Sequence, residues 1–130
     1  MKKHVRFAIS LVLLLGVLVV CLATAQAVEP RYIGIHQLYS TLDISSRGAA
    51  FCEGEIELQS GYTASLKVEL KQDGVTIKTW NNSGSGNFTA GGTYYVQSGH
   101  DYVVKTTATV YDSNKRVVEV PSTDSDSCSY

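Results

Sequence analysis

The chain has 130 residues, 44% of them hydrophobic, with 11 basic residues against 12 acidic ones and three cysteines. The first 27 residues contain Lys2, Lys3 and Arg6 and no acid, so the remaining 103 carry 8 basic and 12 acidic groups, a formal charge of −4. That balance excludes a basic nucleic-acid reader, and 103 residues leave room for one domain with one core but not for a cofactor domain beside a substrate domain.

Lys2, Lys3 and Arg6 precede an apolar run from Phe7 to Ala23 that only Ser10 and Gly16 interrupt. Ala25-Gln26-Ala27 supplies the small-residue cleavage site, so residues 1–27 are expected to form a secretory signal peptide and residues 28–130 the exported domain. The apolar run exceeds the usual length of a signal core, which leaves an uncleaved membrane anchor as the alternative. Cys21 is not a lipoprotein site, because Val20 precedes it where a small residue is required. The expected location is the medium or the cell surface, with no membrane association after cleavage.

Export would leave Cys52 and Cys128, and an even count in an oxidising compartment favours a disulfide between them. Such a bond would close a loop of about 75 residues and contribute roughly 4 kcal/mol on the chain-entropy estimate. Neither cysteine has a histidine or a cation close in sequence to lower its pKa, so neither reads as a nucleophile.

The exported part alternates between apolar and polar residues in chain order. Leu38, Leu42 and Ile44 alternate with Tyr39, Thr41 and Asp43 as a first strand. From Phe51 to Gln59, Cys52, Ile56 and Leu58 share one face and Glu53, Glu55, Glu57 and Gln59 the other; a helix would scatter those glutamates. Leu66, Val68 and Leu70 then alternate with Ser65, Lys67, Glu69 and Lys71. The short connector Gln59 to Thr63 suggests that these two runs are antiparallel neighbours, with Lys67 and Lys71 across from the glutamate row. Asp73-Gly74 signals a hairpin into Val75 to Trp80. Asn81 to Asn87 reads as a polar, glycine-rich loop, and Tyr94 to Gln97 as a short strand. Tyr102 to Tyr111 is the longest strand, Val117 to Val120 the last, and Ser122 to Tyr130 a Ser/Asp-rich tail.

About seven short strands with no crossover helix predict an all-β, antiparallel, immunoglobulin-like β-sandwich. Gly99-His100-Asp101-Tyr102-Val103-Val104 resembles the start of the sixth strand of immunoglobulin and fibronectin type III domains. That resemblance implies that Tyr102 is a structural corner, turned inward with its hydroxyl bonded to backbone. Val104 stands where an immunoglobulin domain has its second cysteine, so Cys52 would have to pair with Cys128 instead.

No catalytic constellation is present, and the chain is expected not to be an enzyme. His36 and His100 lie at no metal-ligand spacing, so neither a metal nor a cofactor is expected. A Ser/His/Asp set can be assembled from His100 and Asp101, but no nucleophile elbow accompanies it. Glu53, Glu55 and Glu57 lie about 7 Å apart along an open strand face, where nothing desolvates a carboxyl. The aromatic residues are the better place to look for binding. Trp80 falls out of phase with Val75 and Ile77, so with Tyr94 or Tyr95 it could form an exposed platform for sugar rings or a partner's side chains. A bulge in its strand would instead return Trp80 to the core.

Across the exported part, Ile44-Ser45, Gly48-Ala49-Ala50, Leu70-Lys71, Trp80, Gly99-His100-Asp101-Tyr102, Val110-Tyr111 and Val118-Glu119 together resemble a group of small exported proteins of unknown function from Gram-positive bacteria. The resemblance implies export and the sandwich fold and brings no activity with it. The expected role is binding or surface contact, with an envelope polysaccharide or a protein as partner and no nucleic acid. The alternative within that role is a carbohydrate-binding or adhesion module using Trp80, Tyr94 and Tyr95.

Overall fold

The structure, a computed structural model, describes residues 21–26 and 32–130. Most of the expected leader, together with Ala27 of its cleavage site, therefore lies outside the described residues. Its end, β1 (Cys21–Gln26), is a strand that pairs antiparallel with β2 (Ile35–Ile44). The chain continues through β3 (Ala49–Leu58), β4 (Thr63–Gln72), β5 (Val75–Ser85), β6 (Asn87–Tyr95) and β7 (Asp101–Tyr111). It ends in the short strands β8 (Val117–Glu119), β9 (Ser122–Asp124) and β10 (Cys128–Ser129).

Two antiparallel sheets pack face to face. The first has the order β1-β2-β3-β6; the second runs β10-β7-β4-β5, with β8 and β9 also paired to β7. Setting β1 aside, β2, β3 and β6 of one sheet face β7, β4, β5 and the short final strands of the other, an all-β antiparallel sandwich. Period-two alternation builds the core. Leu38, Leu42 and Ile44 on β2, Cys52 and Ile56 on β3, and Leu66, Val68 and Leu70 on β4 are all buried, with Ser40 and Gly54 in the same inward rows, while the alternate residues face outward.

Three sequence expectations are corrected. β3 and β4 are not neighbours: β3 pairs with β2 and β6, and β4 with β5 and β7. The connector crosses between sheets, so the inward rows of β3 and β4 face each other and Lys67 and Lys71 lie on the opposite side of the molecule from the glutamates. Lys67 Nζ is 3.5 Å from Glu69 on its own strand. Second, Asn81 to Asn87 is no loop. β5 runs on to Ser85, with Asn82 beside Leu66 and Ser83 beside Ser65, and turns at Gly86 (φ 67°) straight into β6. A polar run can continue a strand when the strand forms the exposed edge of a sheet.

Third, the tail is part of the second sheet. β9 pairs with Lys105 to Thr107 and β10 with Asp101 and Tyr102. Between them Ser125 is buried, its hydroxyl accepting from the Val104 N–H at 2.9 Å and its own N–H donating to the Val104 carbonyl at 2.8 Å. Backbone pairing therefore holds the tail without help from Cys52.

The two sheets come close together at Gly54. A Cβ there would stand 2.5 Å from Thr106 Oγ1 and 2.7 Å from a methyl of Val68, both in the facing sheet. Beside this contact, Ser40 Oγ lies 2.8 Å from Thr106 Oγ1 and 2.8 Å from the Thr123 carbonyl oxygen, so the buried hydroxyls satisfy one another and link both sheets to β9. Gly54→Ala is expected to cost about 1–3 kcal/mol by overpacking, a fall in melting temperature on the order of 10 °C. Thermal unfolding measures it, and an unchanged midpoint would contradict the close approach.

Candidate functional site

Cys52 and Cys128 are not joined. Cys52 is a free, buried thiol whose Sγ approaches the Ala50 carbonyl oxygen at 3.7 Å. Cys128 lies buried on β10, beside Tyr102 at the margin of the second sheet, where β10 touches β1. β1 and β3 are separated by β2, so the two cysteines are offset by two strand spacings as well as by the gap between sheets, too far for a bond of about 2 Å between sulfurs. Strand alternation in the sequence put Cys52 on the inward face but gave no lateral position for Cys128.

The candidate catalytic residues do not converge. Asp73 Oδ2 is 2.6 Å from His100 Nδ1, and Asp73 Oδ1 accepts from the Asp101 N–H at 2.9 Å. These contacts hold the exposed Asp73 carboxyl below its ordinary pKa, the Asp101 N–H being the largest cause and His100 the next. The nearby serine, Ser129, donates to Asp101 and not to the histidine. The result is a chain of paired groups locking the β4–β5 turn to the start of β7. Among the described residues no three His, Cys, Asp or Glu side chains group as metal ligands.

The aromatic residues gather at the margin where β5 and β6, the edge strands of opposite sheets, come together. The register of β5 against β4 shifts after Leu70, with Lys78 beside Leu70 and Thr76 beside Lys71, which leaves Ile77 as the bulged residue. Beyond this bulge Trp80 sits beside Val68, in the inward row. It packs partly buried against the core, and a Cβ on Gly92 of β6 would stand 2.7 Å from its Nε1. Gly92 thus makes the space that the indole occupies. Lys78 Nζ lies 5.9 Å from the ring centroid on the solvent side. Trp80 closes this side of the sandwich; it is not an exposed platform.

Tyr94 and Tyr95 remain at the surface, 36% and 74% exposed. With Ile77, Val96, Gln72 and Gln97 they line a depression of about 270 Å³ in which Trp80 takes no part. The structure therefore unites two of the three expected aromatics and adds Ile77, Gln72 and Gln97, which strand alternation did not single out. Two of the lining residues, Gln72 and Gln97, are bonded to Tyr102. Its ring is buried, and its hydroxyl donates to the Gln97 carbonyl and lies 3.3 Å from Gln72 Oε1. Burial raises the Tyr102 pKa, keeping the phenol protonated as a donor, while the bond to Gln97 works the other way. This is the geometry of a tyrosine corner. A second, broader depression of about 370 Å³ is lined mainly by Ser and Thr residues and Tyr111, and two of its hydroxyls, Ser65 and Ser83, already face each other at 3.2 Å.

No protein-family model matches the chain, and no curated protein and no solved structure matches it.

Burial pushes the Cys52 thiol up to about 12, so it stays protonated and unreactive in the folded protein. Iodoacetamide at mildly alkaline pH is expected to leave Cys52 unmodified until denaturant is added, and then to modify it without any reductant, as peptide mapping by mass spectrometry would report. Rapid native modification, or a need for reductant, would contradict this placement.

Proposed function

We propose that the protein is an exported, non-enzymatic β-sandwich that acts by contact, and that its contact surface is the depression between Tyr94, Tyr95 and Ile77. The observation that carries this reading is the exposure of two tyrosines around one recess whose lining also includes Gln72 and Gln97. Flat rings offer area and stacking, and amides offer both donors and acceptors, the combination that recognises a sugar ring or a polar-aromatic protein segment. The leader, with its cations, apolar run and Ala25-Gln26-Ala27 site, supports export to the medium or cell surface. So does the resemblance to small exported proteins of Gram-positive bacteria.

Carbohydrate binding is the more specific form of this reading. The high exposure of Tyr95 favours it, because a ring with a free face can stack on a pyranose without rearrangement of the core. Retention on insoluble cellulose, chitin or peptidoglycan tests it. The wild-type protein is expected to bind at least one of them, and Tyr95→Ala to weaken binding about tenfold or more, equivalent to roughly 1.4 kcal/mol, with no change in melting temperature. Trp80→Ala is expected to lower the melting temperature by on the order of 10 °C, since it opens the side of the sandwich. No retention on any of the three, or retention indifferent to Tyr95→Ala, would overturn the carbohydrate reading.

A further inference from the structure

Cys128 is disulfide-bonded, and Cys52 is a free thiol. The chain has three cysteines, so the one left to pair with Cys128 is Cys21, the first residue of β1. We infer that a Cys21–Cys128 disulfide clamps the margin of the sandwich opposite Trp80 and keeps β1 in the exported protein as a covalently held strand of the first sheet. The inference rests on the export reading, because the bond needs an oxidising compartment, and it places the start of the exported chain before Cys21 instead of at Val28.

The topology brings the two residues to one corner. Among the described strands, β1 is the outer strand of the first sheet and β10 that of the second, and the two touch. Cys21 stands in register beside Ile44, and Cys128 beside Tyr102. Directly opposed residues of antiparallel strands share a face, and Ile44 and Tyr102 are both fully buried, so the two cysteines hold positions in the inward rows of facing sheets. The same corner carries a measured contact between the sheets. The Tyr130 hydroxyl donates to the Ser46 carbonyl at 3.1 Å, two residues beyond Cys128 on one side and two beyond Ile44 on the other.

The leader sequence fits a domain that begins at β1. Divided at Cys21, the apolar run is Phe7 to Val20, 14 residues, which is within the usual 7–15 of a signal core and short of the roughly 20 that span lipid. The clamp also secures the edge of β2, a ten-residue strand with no Lys, Arg or Pro to protect it, by pinning β1 over Tyr39 to Ile44. The bond forms by thiol–disulfide exchange with a small-molecule or protein disulfide as oxidant. One cysteine thiolate attacks that disulfide and expels the first of its thiols, and the second cysteine attacks the mixed disulfide and expels the other. The chain loses two protons and two electrons, and the oxidant's S–S bond becomes two thiols.

Peptide mapping of the full-length gene product from an exporting bacterial host tests the clamp. The protein is alkylated with iodoacetamide in denaturant without reductant and digested with trypsin, which puts Cys21 in a peptide ending at Arg31, Cys52 in residues 48–67 and Cys128 in residues 117–130. The expected result is a mass joining the first and last of these, lost on reduction, with Cys52 alkylated. Cys21→Ser and Cys128→Ser are each expected to lower the melting temperature by on the order of 10 °C, and the double variant by no more than either. An exported chain beginning at Val28 with Cys128 alkylated would overturn the clamp while leaving export intact, and a link between Cys52 and Cys128 would overturn it as well. Protein confined to the cytoplasm would overturn the export reading. Refolding of that protein in a glutathione redox buffer then decides the bond separately: a Cys21–Cys128 link supports it, and alkylation of both cysteines overturns it.

Discussion

The closeness of the two sheets at Gly54 is the constraint on which the rest of the structure depends. A glycine at the centre of β3 lets Thr106 and Val68 from the opposite sheet fill the place of a side chain. Thr106 is then buried and needs a partner, which it finds in Ser40; Ser40 in turn reaches the carbonyl of Thr123 on β9. A single missing Cβ thereby sets the spacing of the sheets, places two buried hydroxyls and fixes the last strands against β7. A polar pair at the centre of an otherwise apolar core also penalises any slip of β2 against β7 that would leave either hydroxyl unsatisfied.

The same logic of local defects carries the chain to its surface. The bulge at Ile77 turns Trp80 inward, and Gly92 opens the room for it, so the indole seals the margin between β5 and β6. With that margin closed, Tyr94 and Tyr95 at the end of β6 are left at the surface beside Val96 and Gln97, whose position the Tyr102 hydroxyl holds from below. A buried corner residue thus shapes an exposed recess, which links core packing to the proposed contact surface. The outer face of the first sheet is meanwhile strongly acidic. Asp43 on β2 and Glu53, Glu55 and Glu57 on β3 face outward with no Lys or Arg from β2, β3 or β6 among them.

Period-two alternation made the sandwich legible. It identified the inward rows of β2, β3, β4 and β7 from sequence, because a one-residue slip would have turned those apolar residues into solvent. Tyr102 was legible for the same reason, lying in phase with Val104, Ala108 and Val110. What alternation does not encode is which strands lie side by side. A short connector between two alternating runs fits a hairpin and a crossing between sheets equally well, which is why the glutamates of β3 and the lysines of β4 looked like neighbours. Lateral position also decided the cysteines: Cys52 faces inward as its phase requires, but Cys128 lies at the far margin of the opposite sheet. Polarity misled at Asn81 to Asn87, where an edge strand tolerates residues that a central strand does not. The recess lining was only half visible, since Tyr94 and Tyr95 stood out as aromatics while Ile77 is placed there by a bulge and Gln72 by its position at the end of β4.

β3 and β4 belong to opposite sheets that meet at Gly54. Nuclear Overhauser contacts in the isotopically labelled protein test it most directly. Strong contacts are expected from the Gly54 α protons to the Thr106 and Val68 methyl groups, with cross-strand α-proton contacts from β3 to β2 and β6. Cross-strand α-proton contacts between β3 and β4, with no contact between Gly54 and Thr106, would contradict it.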